Sequence, residues 1–455
     1  MYKTTLKDIP SVNKVIHEVK SHIDLHENYL KKIVTNEISK IRYDIEKGKY
    51  HKKSDEILKL VKTNIIKKSN YSLKNIINGT GIVLHTGFGR APFSAQALKN
   101  IAKKMEGYVN LEFDLDTGKR GDRQSHVRDH ISAICNSESA MIVNNNAAAV
   151  MLAINELASG GEVIVSRGQL VEIGGSFRIP DIVKKSGAFL KEVGTTNRTH
   201  KKDYENAISV NTKLILWVHT SNYVIKGFTN SVKLDKLIAI GRKHNIPVMV
   251  DWGSGSFLNM KQLNIANEIP VNKIMVNNPD ILTFSGDKLI GGPQSGVAIG
   301  KKKWIDLLKK NTLYRILRCD KITIGLFEEN LRSYRRYNYT KNNLSLKMIT
   351  TKQNVLQNRA TKIINSLRKK KKNDLGIKII SSEVEAGSGS LPEEKIKSVA
   401  LLFEPKTMSV SKLSHLFRIG TIPVVGYVGN GKFHIDLKAI LPNQISNLIK
   451  AIENI

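Results

Sequence analysis

Between residues 78 and 320, short apolar runs alternate with stretches of helical spacing, and this alternation constrains the fold more than any other property of the chain. The runs fall at 141–143, 162–166, 189–193, 214–219, 248–251, 281–284 and 295–299. A strand buried on both faces reads as a short continuous apolar run, and a helix between two such strands carries the chain back to the starting end of the sheet. The pattern predicts an α/β unit, a mostly parallel sheet with helices on both faces. Ligands of such sheets gather beyond the carboxyl ends of the strands, which are therefore the places to look for chemistry.

Three of these ends carry reactive or anion-holding groups. After the 281–284 run, Ser285, Gly286 and Asp287 lead to Lys288, and Gly291-Gly292-Pro293 then turns the backbone away. A lysine fixed at one point and partly desolvated is less readily protonated and is able to form a Schiff base. Pyridoxal phosphate is the cofactor most often served this way. A surface lysine beside a glycine turn is the plain alternative. Asp251 closes another run; a carboxylate there needs a cationic or hydrogen-bonding partner, which a protonated pyridine nitrogen provides, unless the residue merely caps the next turn. In the third segment a strand over 139–143 passes through Asn144, Asn145, Asn146 and Ala147 into a helix extending to Leu157. Free N–H groups at such a helix start form a phosphate cup, although an ordinary strand-to-helix turn has the same appearance. The three together are more specific than any one alone.

The chain carries a net charge of +32, enough to attract polyanions at moderate salt. Residues 1–75 hold 17 Lys and Arg against 9 Asp and Glu. Helical apolar spacing recurs there at Val12, Val15, Ile16, Val19 and Ile23, and again at Ile57, Leu58, Leu60, Val61 and Ile65. This is the pattern of a small basic helical module; a solvated face on a dimerisation arm is the competing explanation. The 455 residues suffice for two or three domains. No apolar run approaches a bilayer span, and the amino terminus lacks the apolar core of a secretory signal, so a cytoplasmic location is expected. Cys135 and Cys319 are too few for a disulfide framework or a zinc site; both read as packing or bystander thiols, and no metal is expected. A long basic helical region at 342–372 leads into a smaller α+β unit with strands at 399–403, 426–428 and 433–437 and helices at 410–417 and 444–452. The expected division is a helical module over 1–75, a large catalytic domain over 76–335, and a connecting helix with a small carboxyl-terminal domain over 336–455.

Several ordered motifs resemble those of the bacterial selenocysteine synthases, the L-seryl-tRNA(Sec) selenium transferases, which are fold-type-I pyridoxal phosphate enzymes. They are 77–86 (INGTGIVLHT), Gly89-Arg90-Ala91, Asn110-Leu111-Glu112, 117–121 (TGKRG), Ser166-Arg167-Gly168, 172–180 (EIGGSFRIP), 193–200 (VGTTNRTH), 219–223 (HTSNY) and the stretch around Lys288. The resemblance runs from about residue 75 to the end. It implies conversion of seryl-tRNA(Sec) to selenocysteinyl-tRNA(Sec), by loss of water to a dehydroalanyl group and addition of selenium from selenophosphate. It also implies that the basic module grips the tRNA and that the enzyme is a homo-oligomer, a decamer built as a pentamer of dimers. Lys288 becomes the Schiff-base and proton-transfer residue. Asn145, Asn146, Ala147, Asp251, Ser285 and His219 become cofactor contacts, with His219 and Gln169 both candidates to stack on the ring. The family's phosphate-binding arginines match Arg90, Arg315 and Arg318, the last two expected on one helix face. A glycine-rich segment at 387–392 matches one that lies beside the family's active site.

Four places depart from the family pattern: Gly87-Phe88 for Asn-Leu, Gln169 for Glu, Tyr427 for Arg and Lys438 for Arg. Two other functions compete. One is a lyase or dehydratase of the same fold acting on a small phosphorylated sugar acid or amino acid, which would need neither the basic module nor the Arg315 and Arg318 pair. The other is a nucleic-acid-binding scaffold with a decayed catalytic domain, against which intact Lys288, Asp251 and the anion-binding arginines argue.

Overall fold

The computed structural model describes residues 4–49, 51–173, 177–220, 222–263, 268–336, 339–387 and 395–455. Residues 174–176, Ser221 and 388–392 of the motifs above lie outside these. The chain divides into two compact units, Met1–Ile76 and Ile77–Ile455. The first contains α1 (Val12–Lys20), α2 (Glu27–Glu46) and α3 (Ser54–Ser69). Val15 and Val19, Leu30, Val34, Ile38 and Ile41, and Ile57, Val61 and Ile65 recur at three- and four-residue spacing and form its core. Glu37 is buried in that unit; burial pushes its carboxyl up, but hydrogen bonds from Lys68 and from Asn64 at 2.6 Å outweigh this and hold it below the usual range.

The second unit is built on seven strands: β1 (Ser139–Val143), β2 (Glu162–Ser166), β3 (Phe189–Val193), β4 (Thr212–Val218), β5 (Val248–Asp251), β6 (Ile281–Ser285) and β7 (Gly296–Gly300). Their order across the sheet is β3-β2-β4-β5-β6-β7-β1, with β7 antiparallel to both neighbours and the remaining pairs parallel. The expected strands are all present, and their apolar faces fill two cores, one on each side of the sheet. Register decides what the sheet presents. Val218 and Asp251, the last residues of β4 and β5, lie side by side with Thr283 of β6, and Ser285, Gly296 and Val143 form a second row across β6, β7 and β1. Helix α4 (Asn146–Ala158) leaves directly from β1, and α5 (Thr312–Leu317) returns to that strand end.

The smaller sheet contains β8 (Lys378–Val384), β9 (Ile396–Phe403), β10 (Tyr427–Gly429) and β11 (Lys432–Asp436), antiparallel in the order β8-β9-β11-β10. Residues 77–79 join this part of the unit: Ile77 and Asn78 pair with Val424 and Val425, and the Asp436 N–H donates to the Gly79 carbonyl at 2.7 Å. Two expectations need correction. The basic region at 342–372 is not one helix but α6 (Leu344–Ile349), α7 (Gln353–Ser366) and α8 (Lys369–Asp374). Thr350 and Thr351 turn their hydroxyls back onto the Leu346 and Lys347 carbonyls, and Leu367 is extended, so the chain bends at both places. The strand expected at 426–428 falls on Tyr427–Gly429, and β8 was not anticipated because its KIISSEV sequence is polar and only half-buried. Among the described residues no helix is long and apolar enough to cross a membrane.

Candidate active site

Lys288 stands just beyond β6 and is 3% exposed. Burial, reinforced by the charge of Arg90, lowers its amine to about 8, against the opposing pull of Asp251, Asp287 and Glu268. Such an amine is available in neutral form near physiological pH. The Arg90 Nη1 lies 3.2 and 3.0 Å from the two carboxylate oxygens of Asp287. Arg90 itself adopts φ 58°, directly after Gly89 at φ 80°, so the backbone enters the left-handed region to deliver this guanidinium.

Asp251 is 2% exposed, and burial pushes its carboxyl up. Its Oδ1 accepts from Asn146 Nδ2 at 2.9 Å. The neighbouring Asn145 instead caps α4, its Oδ1 accepting from the Ala148 N–H at 2.9 Å. Among the described residues nothing accepts from the N–H groups of Asn146 and Ala147, which remain as the cup. Gly296 lies against this turn, where a Cβ would come within 2.0 Å of the Asn145 carbonyl oxygen. Ser285, opposite Gly296 in register, is buried beside it.

His219 follows β4, and its N–H donates to the Asp251 carbonyl at 2.9 Å. The imidazole stacks on Trp252 with centroids 3.9 Å apart, and Trp252 lies parallel to Trp217 at 5.7 Å. Burial, with a smaller contribution from Lys288, lowers His219 to about 4, so the ring is neutral at pH 7. Gln169 accepts from the Val218 N–H at 3.2 Å, so its amide oxygen fastens the end of β4.

Arg315 and Arg318 do not share a helix face. Helix α5 ends at Leu317, and Arg318 is extended, at φ −68° and ψ 144°, because it bridges to Val143 at the end of β1 while Leu317 accepts from the Asn144 N–H at 2.9 Å. The same contacts bring this segment to the cup. Arg315 is exposed. Arg318 contacts Glu112 at 3.3 Å, and the same carboxylate is held by Arg123 and, at 3.0 Å, by Arg120. The hydrogen bond from Arg123 is foremost in drawing Glu112 below the usual carboxylate range.

Three acidic residues here carry no site assignment from the sequence. Asp287 is visible as the acid before Lys288, but its partnership with Arg90 spans 197 positions. Glu268 gives no local signal; it is buried, accepts a hydrogen bond from Ser254, and burial raises its carboxyl. Glu112 belongs to a family motif that by itself assigns it no role. Three of the residues that depart from the family pattern make local contacts. Phe88 stacks on His85 at 4.0 Å, Tyr427 stacks on His434 at 4.8 Å, and buried Lys438 donates from Nζ to the Thr351 carbonyl at 2.8 Å. Cys135 and Cys319 are buried, and desolvation raises both thiols.

A depressed buried amine, a buried acid one strand away and a helix start with free N–H groups fit pyridoxal phosphate, which needs an imine-forming amine, a partner for its ring nitrogen and a phosphate seat. The model of the L-seryl-tRNA selenium transferase family matches residues 76–441. The chain is 42% identical to the L-seryl-tRNA(Sec) selenium transferase of Caldanaerobacter subterraneus over 99% of its own length and 98% of that protein. It is 39% identical to that of Nitratidesulfovibrio vulgaris, over 95% of each. Among solved structures, D-glucosaminate-6-phosphate ammonia-lyase superposes with a TM-score of 0.59 at 16% identity, over 84% of this chain and 95% of that one, a likeness of fold. The protein belongs to the L-seryl-tRNA selenium transferase family.

Proposed function

We propose that this protein converts L-seryl-tRNA(Sec) to L-selenocysteinyl-tRNA(Sec) in the cytoplasm, with selenophosphate as selenium donor. The observation that carries the reading is Lys288, a buried amine lowered to about 8 beside Asp251, in a chain that matches this family through residues 76–441. Pyridoxal phosphate, when bound, supplies an electron sink for the pair left at the serine Cα when its proton departs. Lys288 Nζ takes that proton and later returns it. Asp251 would keep the cofactor's ring nitrogen protonated, the Asn146 and Ala147 N–H groups, with Ser285 and the cap made by Asn145, would seat its phosphate, and His219 would help hold its ring. In the net exchange the serine hydroxyl leaves Cβ as water, selenium bonds to Cβ, the phosphorus–selenium bond breaks, and oxygen from water completes inorganic phosphate. Arg90, Arg315 and Arg318 hold the selenophosphate anion, since guanidinium groups fork onto phosphate oxygens.

The basic amino-terminal unit grips the tRNA, and the enzyme works as a homo-oligomer, a pentamer of dimers. The excess of basic residues in the first 75 supports the first statement and family membership the second. The test is a single-turnover reaction with radiolabelled serine on purified selenocysteine tRNA plus selenophosphate. Labelled selenocysteine is expected from the native enzyme and none from Lys288→Ala. Unchanged serine, with phosphorylated sugar acids consumed instead, would overturn the reading.

A further inference from the structure

Beyond the carboxyl ends of β2 and β4 lies a cavity of about 230 Å³, walled in part by Ser166, Gln169, Thr196, Trp217, His219 and Asn230. In a chain in which 25% of residues are charged, none of the described residues lining it is Lys, Arg, Asp or Glu. The wall is made of hydroxyls, amides, rings and the aliphatic Val218, Val224, Ile225 and Val232, and its histidine is neutral at pH 7. Two of the residues lining it, Trp217 and His219, carry a buried ring nitrogen, Nε1 and Nδ1 respectively, with no hydrogen-bond partner among the described residues. Buried polar atoms are seldom left unpaired, so an unsatisfied pair in one cavity indicates a ligand that brings its own donors and acceptors.

The cavity shares His219 with the Lys288 site, where the His219 N–H is bonded to the Asp251 carbonyl at 2.9 Å. An aminoacyl ester is made to the ribose of a terminal adenosine, so a ribose and a purine accompany the serine to within a few bonds of the reacting carbon. Both are uncharged, both carry several donors and acceptors, and the purine has a face for ring stacking. The sheet order adds a second argument. Arg318 lies at β1, the cavity lies at β2 and β4, and Asp251 and Lys288 lie at the ends of β5 and β6 or just beyond, strands that stand between them. An anion and a nucleoside would thus reach the reacting carbon from opposite sides.

We infer that this cavity binds the terminal adenosine of the aminoacyl-tRNA, an assignment that rests on the function proposed above. The probe is 3′-deoxy-3′-(L-serylamino)adenosine, an amide that does not release its serine, used as an inhibitor of seryl-tRNA turnover by the cofactor-loaded enzyme. It is expected to compete about tenfold better than its cytidine counterpart, the worth of one or two hydrogen bonds. Trp217→Phe, which keeps the ring and removes the N–H, is expected to weaken the adenosine compound about fivefold while leaving inhibition by L-serinamide unchanged. Thr196→Val, on a different wall, is expected to act in the same direction and provides a second reading if the Trp217 variant folds poorly. Equal inhibition by the adenosine and cytidine compounds, or by L-serinamide alone, overturns the assignment while turnover of seryl-tRNA leaves the proposed function standing. An enzyme that leaves the seryl group untouched overturns both.

Discussion

Asn146 Nδ2 donates to Asp251 Oδ1 at 2.9 Å, joining the first residue of α4 to the last residue of β5. Two places expected to serve opposite ends of one cofactor are thereby fixed to each other. The side chain of Asn146 orients the acid while its backbone N–H remains part of the cup. Replacing Asn146 with Ala keeps the N–H and removes the orientation. We expect cofactor affinity to fall about tenfold, in line with a lost hydrogen bond to a buried carboxyl, with the fold retained. Equilibrium dialysis with pyridoxal phosphate measures it, and unchanged affinity would show that Asp251 is positioned without Asn146.

Gly296 has an ordinary backbone conformation, and its constraint is space. A Cβ there would meet the Asn145 carbonyl oxygen at 2.0 Å and the Asn146 nitrogen at 2.7 Å. Gly296→Ala must displace the start of α4, at about 1–3 kcal/mol for an overpacked core position. A lower unfolding midpoint together with weaker cofactor binding is expected. A loss of stability with full affinity would separate the cup from the turn.

Lys288 titrates at about 8 in the cofactor-free folded chain against an ordinary value of 10.5. Between those values the unfolded chain binds more protons than the folded one, so stability rises with pH through that window. Below pH 8 the destabilisation is fully expressed, at about 3 kcal/mol from the size of the shift. Lys288→Met is therefore expected to raise the thermal midpoint of the cofactor-free protein at pH 7 and to reduce the gain between pH 8 and 10. Lys438, also lowered to about 8 by burial, titrates in both proteins and cancels in the comparison. Parallel stability profiles for the two proteins would contradict the burial of a titrating amine.

Arg318 shares Glu112 with Arg120 and Arg123, so the carboxylate is already engaged by three guanidinium groups. Arg318→Ala is expected to raise the selenophosphate concentration needed for half-maximal transfer by about tenfold or more, the range of a charged hydrogen bond, while sparing the link between cofactor and Lys288. Arg315→Ala should act in the same direction. The visible absorbance bleached by borohydride monitors the link, and transfer kinetics at limiting selenophosphate monitor the anion. Unaltered kinetics in both variants would remove the arginines from this role.

Six of the seven strands were legible in the sequence because strands buried on both faces must be almost wholly apolar, whereas β3, at the sheet edge and largely half-buried or exposed, showed only through its place in the alternation; the site acid and lysine were legible because they close or closely follow such runs. Strand β8 was hidden for the converse reason: its half-buried KIISSEV sequence carries no such signal. The helix face assigned to Arg315 and Arg318 failed because spacing alone does not reveal that Arg318 is drawn into an extended bridge with Val143. Local residues determined the strand ends, the helix cap at Asn145 and the turn after Lys288, since each depends on backbone preferences within a few positions. The tertiary structure alone decided that Arg90 meets Asp287, that Asn146 meets Asp251 and that Glu268 is buried within the field of Lys288. Those relationships join distant segments, and only the sheet order and its register bring such segments together.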